Sequence, residues 1–170
     1  MLIENQVIES AHGVAIEPLL KAARAAGEEI LEIYARDFEI EYKGDHSPLT
    51  EADKAANDVI MVFLRSAHAE IPIISEENKE VPYEERKNWT RFWLVDPLDG
   101  TKEFIKKNGE FTVNIALVEN GRPVIGVVYR PVTDTMYLGA EGAGAWRISG
   151  GGAAEEISGG PHYSGKDAVQ

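Results

Sequence analysis

Cysteine is absent from the 170 residues. That excludes a disulfide framework, a thiolate zinc site and a cysteine nucleophile, and it fits a reducing cytoplasm. Long hydrophobic runs are missing as well. No segment approaches the roughly 20 apolar residues that a membrane-spanning helix needs, and the stretch from Met1 to His12 lacks the basic start and apolar run of a secretion signal. A soluble chain with no integral membrane segment is therefore expected. Positive charge is scarce: 17 Lys and Arg stand against 29 Asp and Glu, for a net charge of -12. This excludes a nucleic-acid polymer as partner, because phosphate-backbone contacts need clustered Lys and Arg. A small phosphorylated substrate remains admissible if a bound cation or backbone N–H groups receive it.

What is present suits one domain, since 44% of the residues are hydrophobic and the length allows a single core. Apolar residues from Ile16 to Tyr34 recur at three- and four-residue spacing, with Pro18 placed for a first turn, and predict an amphipathic helix. A short strand is expected over Phe38 to Tyr42, then a loop through Gly44, Asp45, Ser47 and Pro48, and a second helix from about Thr50 to His68. Ile71 to Ile74 and Phe92 to Val95 read as brief strands that stop at Glu76 and Asp96. Beyond Gly109 the pattern turns to strands joined by tight turns, with Asn120-Gly121 as a hairpin signal. The fold class is thus α+β, with two helices packed on a largely antiparallel sheet. Residues 149–170 carry little apolar periodicity and read as a Gly/Ser-rich tail or linker, or as the start of a C-terminal domain.

The segment best suited to chemistry runs from Trp93 to Phe104. An apolar strand delivers Asp96, Pro97 fixes one torsion, and Gly100 permits a tight turn into a helix near Thr101. Asp96 and Asp99 are held on one corner, and the backbone N–H groups of Gly100 and Thr101 face outward at a helix start, where a phosphate could be received. The plainer reading makes Asp99 or Thr101 a helix cap and leaves Asp96 in solvent. Glu76, also at a strand end, changes the balance if a shared sheet edge brings it beside them. Clustered carboxylates repel unless hard cations neutralise them, and Mg2+ favours such oxygen donors and bridges to phosphate. Thr50 to Asp53 has capping-box spacing, and Asp53 is placed to orient the Thr101 hydroxyl if the two loops meet.

Other signals weigh less. His12, His46, His68 and His162 show no metal-ligand spacing and read as satisfied or surface histidines. Trp89, Trp93 and Trp146 read as packing residues, Gly142-Ala143-Gly144 as a tight turn, and Glu84 to Lys87 as a solvated helical face.

Ser47 through Asp53, Ile74 through Glu77, Trp93 through Phe104 and Asn108 through Asn114 together resemble the inositol monophosphatase superfamily, in particular its CysQ-type 3'(2'),5'-bisphosphate nucleotidases. The resemblance covers about residues 15 to 148 and implies the N-terminal half of that layered α/β sandwich. It implies hydrolysis of adenosine 3',5'-bisphosphate to AMP and phosphate, dependence on Mg2+, inhibition by lithium and a link to sulfur assimilation. Inositol monophosphatase activity is the alternative, and a non-catalytic metal- or partner-binding fragment is a third reading. Carried over, Glu76, Asp96 and Asp99 would ligate metal by carboxylates and Leu98 by its carbonyl. Gly100 and Thr101, with Glu76, Leu98 and Asp99, would bind the substrate phosphate, and Glu76, Thr101 and Asp53 would activate water. Lys43 falls in a loop that approaches a further metal in such relatives, although a lone lysine there ordinarily reads as a solvated surface residue. A second domain bearing a Trp-Asp motif has no counterpart after Trp146, so a shortened chain is expected, with an uncovered apolar face that favours homo-oligomers. Cytoplasmic location, with peripheral association at the inner membrane, is the implied setting.

Overall fold

Apolar residues at helical spacing shape the first half of the chain and alternating ones the second, as a computed structural model describes for residues 9–44 and 48–158. Asp45, His46, Ser47, His162 and Asp167 lie outside the described residues. A small hairpin of β1 (Ser10–Ala11) and β2 (Val14–Ala15) leads into α1 (Glu17–Tyr34). Pro18 sits in the first turn of α1, where its missing N–H costs nothing. Leu19, Ala22, Ala23, Ala26, Gly27, Ile30 and Ile33 form the buried stripe of the helix. Next, β3 (Ile40–Tyr42) pairs antiparallel with β4 (Pro48–Thr50), which runs directly into α2 (Glu51–Ala67). Thr50 caps α2, and its backbone N–H donates to Asp53 Oδ2 at 2.7 Å, closing the capping box. α1 and α2 pack on each other and on the sheet.

The rest of the chain contributes β5 (Ile73–Ser75), the one-turn α3 (Tyr83–Arg86), β6 (Arg91–Asp99), α4 (Thr101–Ile105), β7 (Thr112–Glu119) and β8 (Arg122–Arg130). A 3-10 turn over Pro131–Thr133 precedes β9 (Thr135–Ala140), β10 (Gly144–Ser149) and β11 (Ala154–Ile157). Strands β5 to β11 form one sheet in the order β11-β10-β9-β8-β7-β6-β5, with every pair antiparallel except β5–β6. Asn120 and Gly121 both take positive φ in the β7–β8 turn, as a tight hairpin requires. One face of the sheet is packed under the helices through Trp93, Val95, Val113, Ile115, Val127 and Leu138. On the other face Leu94, Val128 and Tyr137 are exposed.

Three details depart from the sequence reading. Strand β6 does not stop at Asp96 but continues to Asp99, because Asp96 pairs with Asn114 and Asp99 with Thr112 across a bulge. The stretch read as a tail supplies β11, which pairs with β10 as an edge strand. Its Ala-Glu-Glu-Ile sequence has too little hydrophobic alternation to announce a strand, and the ladder hydrogen bonds of β10 recruit it. His68, read as satisfied or on the surface, is buried at the end of α2 against Trp93, with ring centroids 5.7 Å apart and Nε2 without a partner among the described residues.

Candidate active site

Parallel pairing of β5 with β6 sets the first part of the site. Ser75 lies opposite Val95, and the Glu76 N–H donates to the Val95 carbonyl at 3.2 Å, so Glu76 leaves its strand directly beside Asp96. Side chains along a strand alternate faces, so residues 96 and 99 of a regular strand would point to opposite sides. The bulge sets Pro97 and Leu98 of β6 against Val113 alone of β7, which returns Asp96 and Asp99 to the side shared by Asn114 and Thr112. Asn114 Nδ2 donates to Asp99 Oδ2 at 3.1 Å. Gly100 then takes φ of 95°, and a Cβ there would lie 2.8 Å from the Glu110 carbonyl oxygen, so both torsion and space require glycine.

A second group comes from the start of α2. Asp53 is buried and accepts from the backbone N–H and the hydroxyl of Thr50 at Oδ2, each at 2.7 Å, and from the Thr101 hydroxyl at Oδ1 at 3.1 Å. Thr101 Oγ1 also lies 3.2 Å from the Leu98 carbonyl. One hydroxyl has one proton, and the ionised carboxylate is the stronger acceptor, so Thr101 donates to Asp53 and keeps its lone pairs for another donor. Burial raises the Asp53 carboxyl above its ordinary value, and the hydrogen bonds from Thr50 and Thr101 oppose that rise.

Electrostatics mark the same place. Burial, followed by the charges of Glu76 and Asp99, pushes the Asp96 carboxyl up to about 7, and hydrogen bonding with Glu76 adds to the rise. Asp96 Oδ1 is buried with no hydrogen-bond partner among the described residues. Lys43 Nζ donates to Glu76 Oε1 at 2.9 Å and to Glu77 Oε1 at 2.6 Å. Burial alone would lower the lysine, but its bonds to Glu77 and Glu76 more than offset this, and the net shift is upward. Burial raises Glu77, with Asp53 and Glu76 adding to the rise and Lys43 opposing it. Among the described residues, no three Asp, Glu or His side chains converge in ready coordinating geometry. Glu76, Asp96 and Asp99 are neighbours rather than a closed shell.

The sequence reading did not single out Glu77, Asn57 or Asn114 for a role. Ser75 Oγ donates to Asn57 Oδ1 at 2.7 Å, and Asn57 Nδ2 donates to Asn78 Oδ1 at 3.1 Å, so a buried polar chain braces the turn carrying Glu76 and Glu77. The available signal was a polar residue at a buried-stripe position of α2, with Asn57 one residue beyond Ala56. Lys43, expected in solvent, is drawn into the acidic cluster instead.

Residues 14–160 match the inositol monophosphatase family. The chain is 54% identical over 134 residues to the 3'(2'),5'-bisphosphate nucleotidase CysQ of Salmonella typhimurium, an overlap of 78% of this chain and 54% of that protein. The crystal structure of CysQ from Bacteroides thetaiotaomicron superposes with a TM-score of 0.68 at 50% identity, covering 79% of this chain and 48% of the other. An inositol monophosphatase/NADP phosphatase solved with Mg2+ and phosphate shares the fold at a TM-score of 0.65 and 22% identity, covering 78% and 48% of the two chains. The chain spans about half the length of these relatives.

Proposed function

The chain belongs to the inositol monophosphatase family, and on that premise we propose that it carries the metal- and phosphate-binding residues of a Mg2+-dependent phosphomonoesterase acting on 3'(2'),5'-bisphosphorylated nucleosides. The observation that carries the reading is the meeting of Glu76, Asp96 and Asp99 at one end of the β5–β6 pair. The donor set fits a hard divalent ion. Among the described residues Asp96 Oδ1 is buried without a partner, and the Glu76 and Asp99 carboxylates act on it as neighbouring charges. Glu76, Asp96, Asp99 and the Leu98 carbonyl would hold Mg2+, which when bound supplies positive charge against the phosphoryl oxygens.

The chain's own groups do the remaining work. Gly100, whose φ of 95° turns the chain at this corner, would present its backbone N–H and that of Thr101 as donors to the phosphate oxygens. Thr101, donating to Asp53, presents a lone pair that would accept a hydrogen bond from an approaching water; as that water's proton passes to Oγ1, the Thr101 proton passes to the Asp53 carboxylate, and Glu76 would hold the other side of the water. Asp53 acts through Thr101, and the capping box holds it in place. The nucleoside preference rests on the likeness to the CysQ nucleotidases. Purified protein with Mg2+ is expected to release inorganic phosphate from adenosine 3',5'-bisphosphate faster than from inositol 1-phosphate. Faster release from the inositol ester would replace the substrate assignment. A folded sample that releases none from either, and whose melting temperature does not respond to Mg2+, would overturn the reading for this chain.

A further inference from the structure

Lys43 follows the last residue of β3, and its side chain is only 23% exposed. A lysine ammonium is strongly hydrated, so withdrawing it from water needs compensation. Two carboxylates provide it, Glu76 Oε1 at 2.9 Å and Glu77 Oε1 at 2.6 Å. The two partners differ in kind. Glu77 has a side chain only 7% exposed, and a buried carboxylate left without a cation is destabilising. Glu76 is 51% exposed and stands beside Asp96 on the neighbouring strand, where a divalent ion would bind. The lysine thus spans the structural carboxylate and the one assigned to the metal.

We infer that Lys43 is a resident counter-cation of the acidic cluster, neutralising Glu76 and Glu77 when no divalent ion is bound and competing with that ion for Glu76. The first half rests on geometry alone, and the second rests on the metal reading given above. Mg2+ approaches its oxygen ligands to about 2.0–2.1 Å, so an ion on Glu76 would stand beside the ammonium, and like charges that close repel. Lys43 therefore releases Glu76 when the ion binds and keeps Glu77. Lys43 is a positioning residue that sets how tightly the ion is held.

Lys43→Met, which keeps the apolar stem, tests this in two measurements. In chelator at low salt, its melting temperature is expected to fall below that of the wild type, since Glu77 is left buried and uncompensated. In a calorimetric titration its Mg2+ dissociation constant is expected to drop on the order of tenfold, the size usual for coupling between two sites. Lys43→Arg keeps the charge and should restore the chelator melting temperature. The double variant Lys43→Met/Glu77→Gln removes the buried charge too and should regain the lost stability, a rescue that loss of the stem alone would not produce. The double variant also carries the test if the single one does not fold. Wild-type values for Lys43→Met in both measurements would overturn the inference, as would weaker Mg2+ binding or a double variant no more stable than the single one. If the wild type itself binds no Mg2+, the metal reading and the competition fall together, while the chelator melts still decide the counter-cation.

Discussion

Asp96 is a carboxylate held among carboxylates, and its sign of response to pH follows from that. Its folded-state value of about 7 lies above the ordinary range near 3.9. The stability tied to its protonation is therefore fully present below about pH 4 and is lost as pH rises through about 7. In chelator, the melting temperature of the wild type should fall across that window relative to Asp96→Asn, whose side chain cannot titrate. At pH 8 the asparagine variant should melt higher than the wild type by on the order of 2–4 °C, about 1 kcal/mol at this chain length. With saturating Mg2+ the order should reverse, because the variant has lost a ligand. Parallel thermal melts with chelator and with Mg2+ check both signs, and a wild type that melts higher in chelator at pH 8 would remove the like-charge account. Thr101→Val probes a different bond. It leaves Asp53 Oδ1 buried without its donor, and an expected loss of about 1–3 kcal/mol in urea unfolding measures that contact.

At the scale of elements, two glycines in regular structure have opposite meanings. Gly27 lies mid-helix in α1, where alanine would ordinarily be favoured by up to about 1 kcal/mol. A Cβ there would come within 2.4 Å of the Tyr129 ring, which is held by its hydroxyl bond to Asp134 at 3.0 Å. Gly27→Ala should thus destabilise by about 1–3 kcal/mol despite the better propensity. Gly126 pairs with Ala116 and Gly139 on the exposed face of the sheet, and a Cβ there meets nothing within 4 Å. Gly126→Ala should stabilise by about 0.4–1 kcal/mol in this chain. Denaturant midpoints for the pair decide the matter, and the same sign for both would show that local propensity outweighs packing. The long helices were legible because their apolar stripes repeat over many residues and because Thr50 and Asp53 announce a start. Strand β11 was not, since a four-residue edge strand depends on its neighbour's hydrogen bonds more than on its own pattern. The bulge in β6 was equally hidden, because the Asp-Pro-Leu-Asp run suggests that the strand stops.

Across the whole molecule, charge and surface pull in different directions. A net charge of -12 keeps copies apart at low salt, whereas Leu94, Val128 and Tyr137 form an exposed apolar strip on the sheet. Raising ionic strength should therefore promote association, and Val128→Lys with Tyr137→Lys should suppress it. Light scattering over a concentration series at two salt levels provides the check, and unchanged association in the double variant would clear this face of responsibility. No helix among the described residues is long and apolar enough to cross a membrane.

By itself, the order of residues determined the two amphipathic helices, the hairpin at Asn120-Gly121, the capping box and the identity of the carboxylates, since each is encoded in a local repeat or a short motif. Only tertiary structure decided which of those charges meet. The parallel registry of β5 with β6 sets Glu76 beside Asp96, the bulge brings Asp99 onto the same side, and the approach of α2 to α4 joins Asp53 to Thr101 across 48 positions. The fate of Lys43 was settled in the same way. A lone lysine in a polar loop carries no local sign of burial, and what draws it inward is a buried carboxylate 34 positions away.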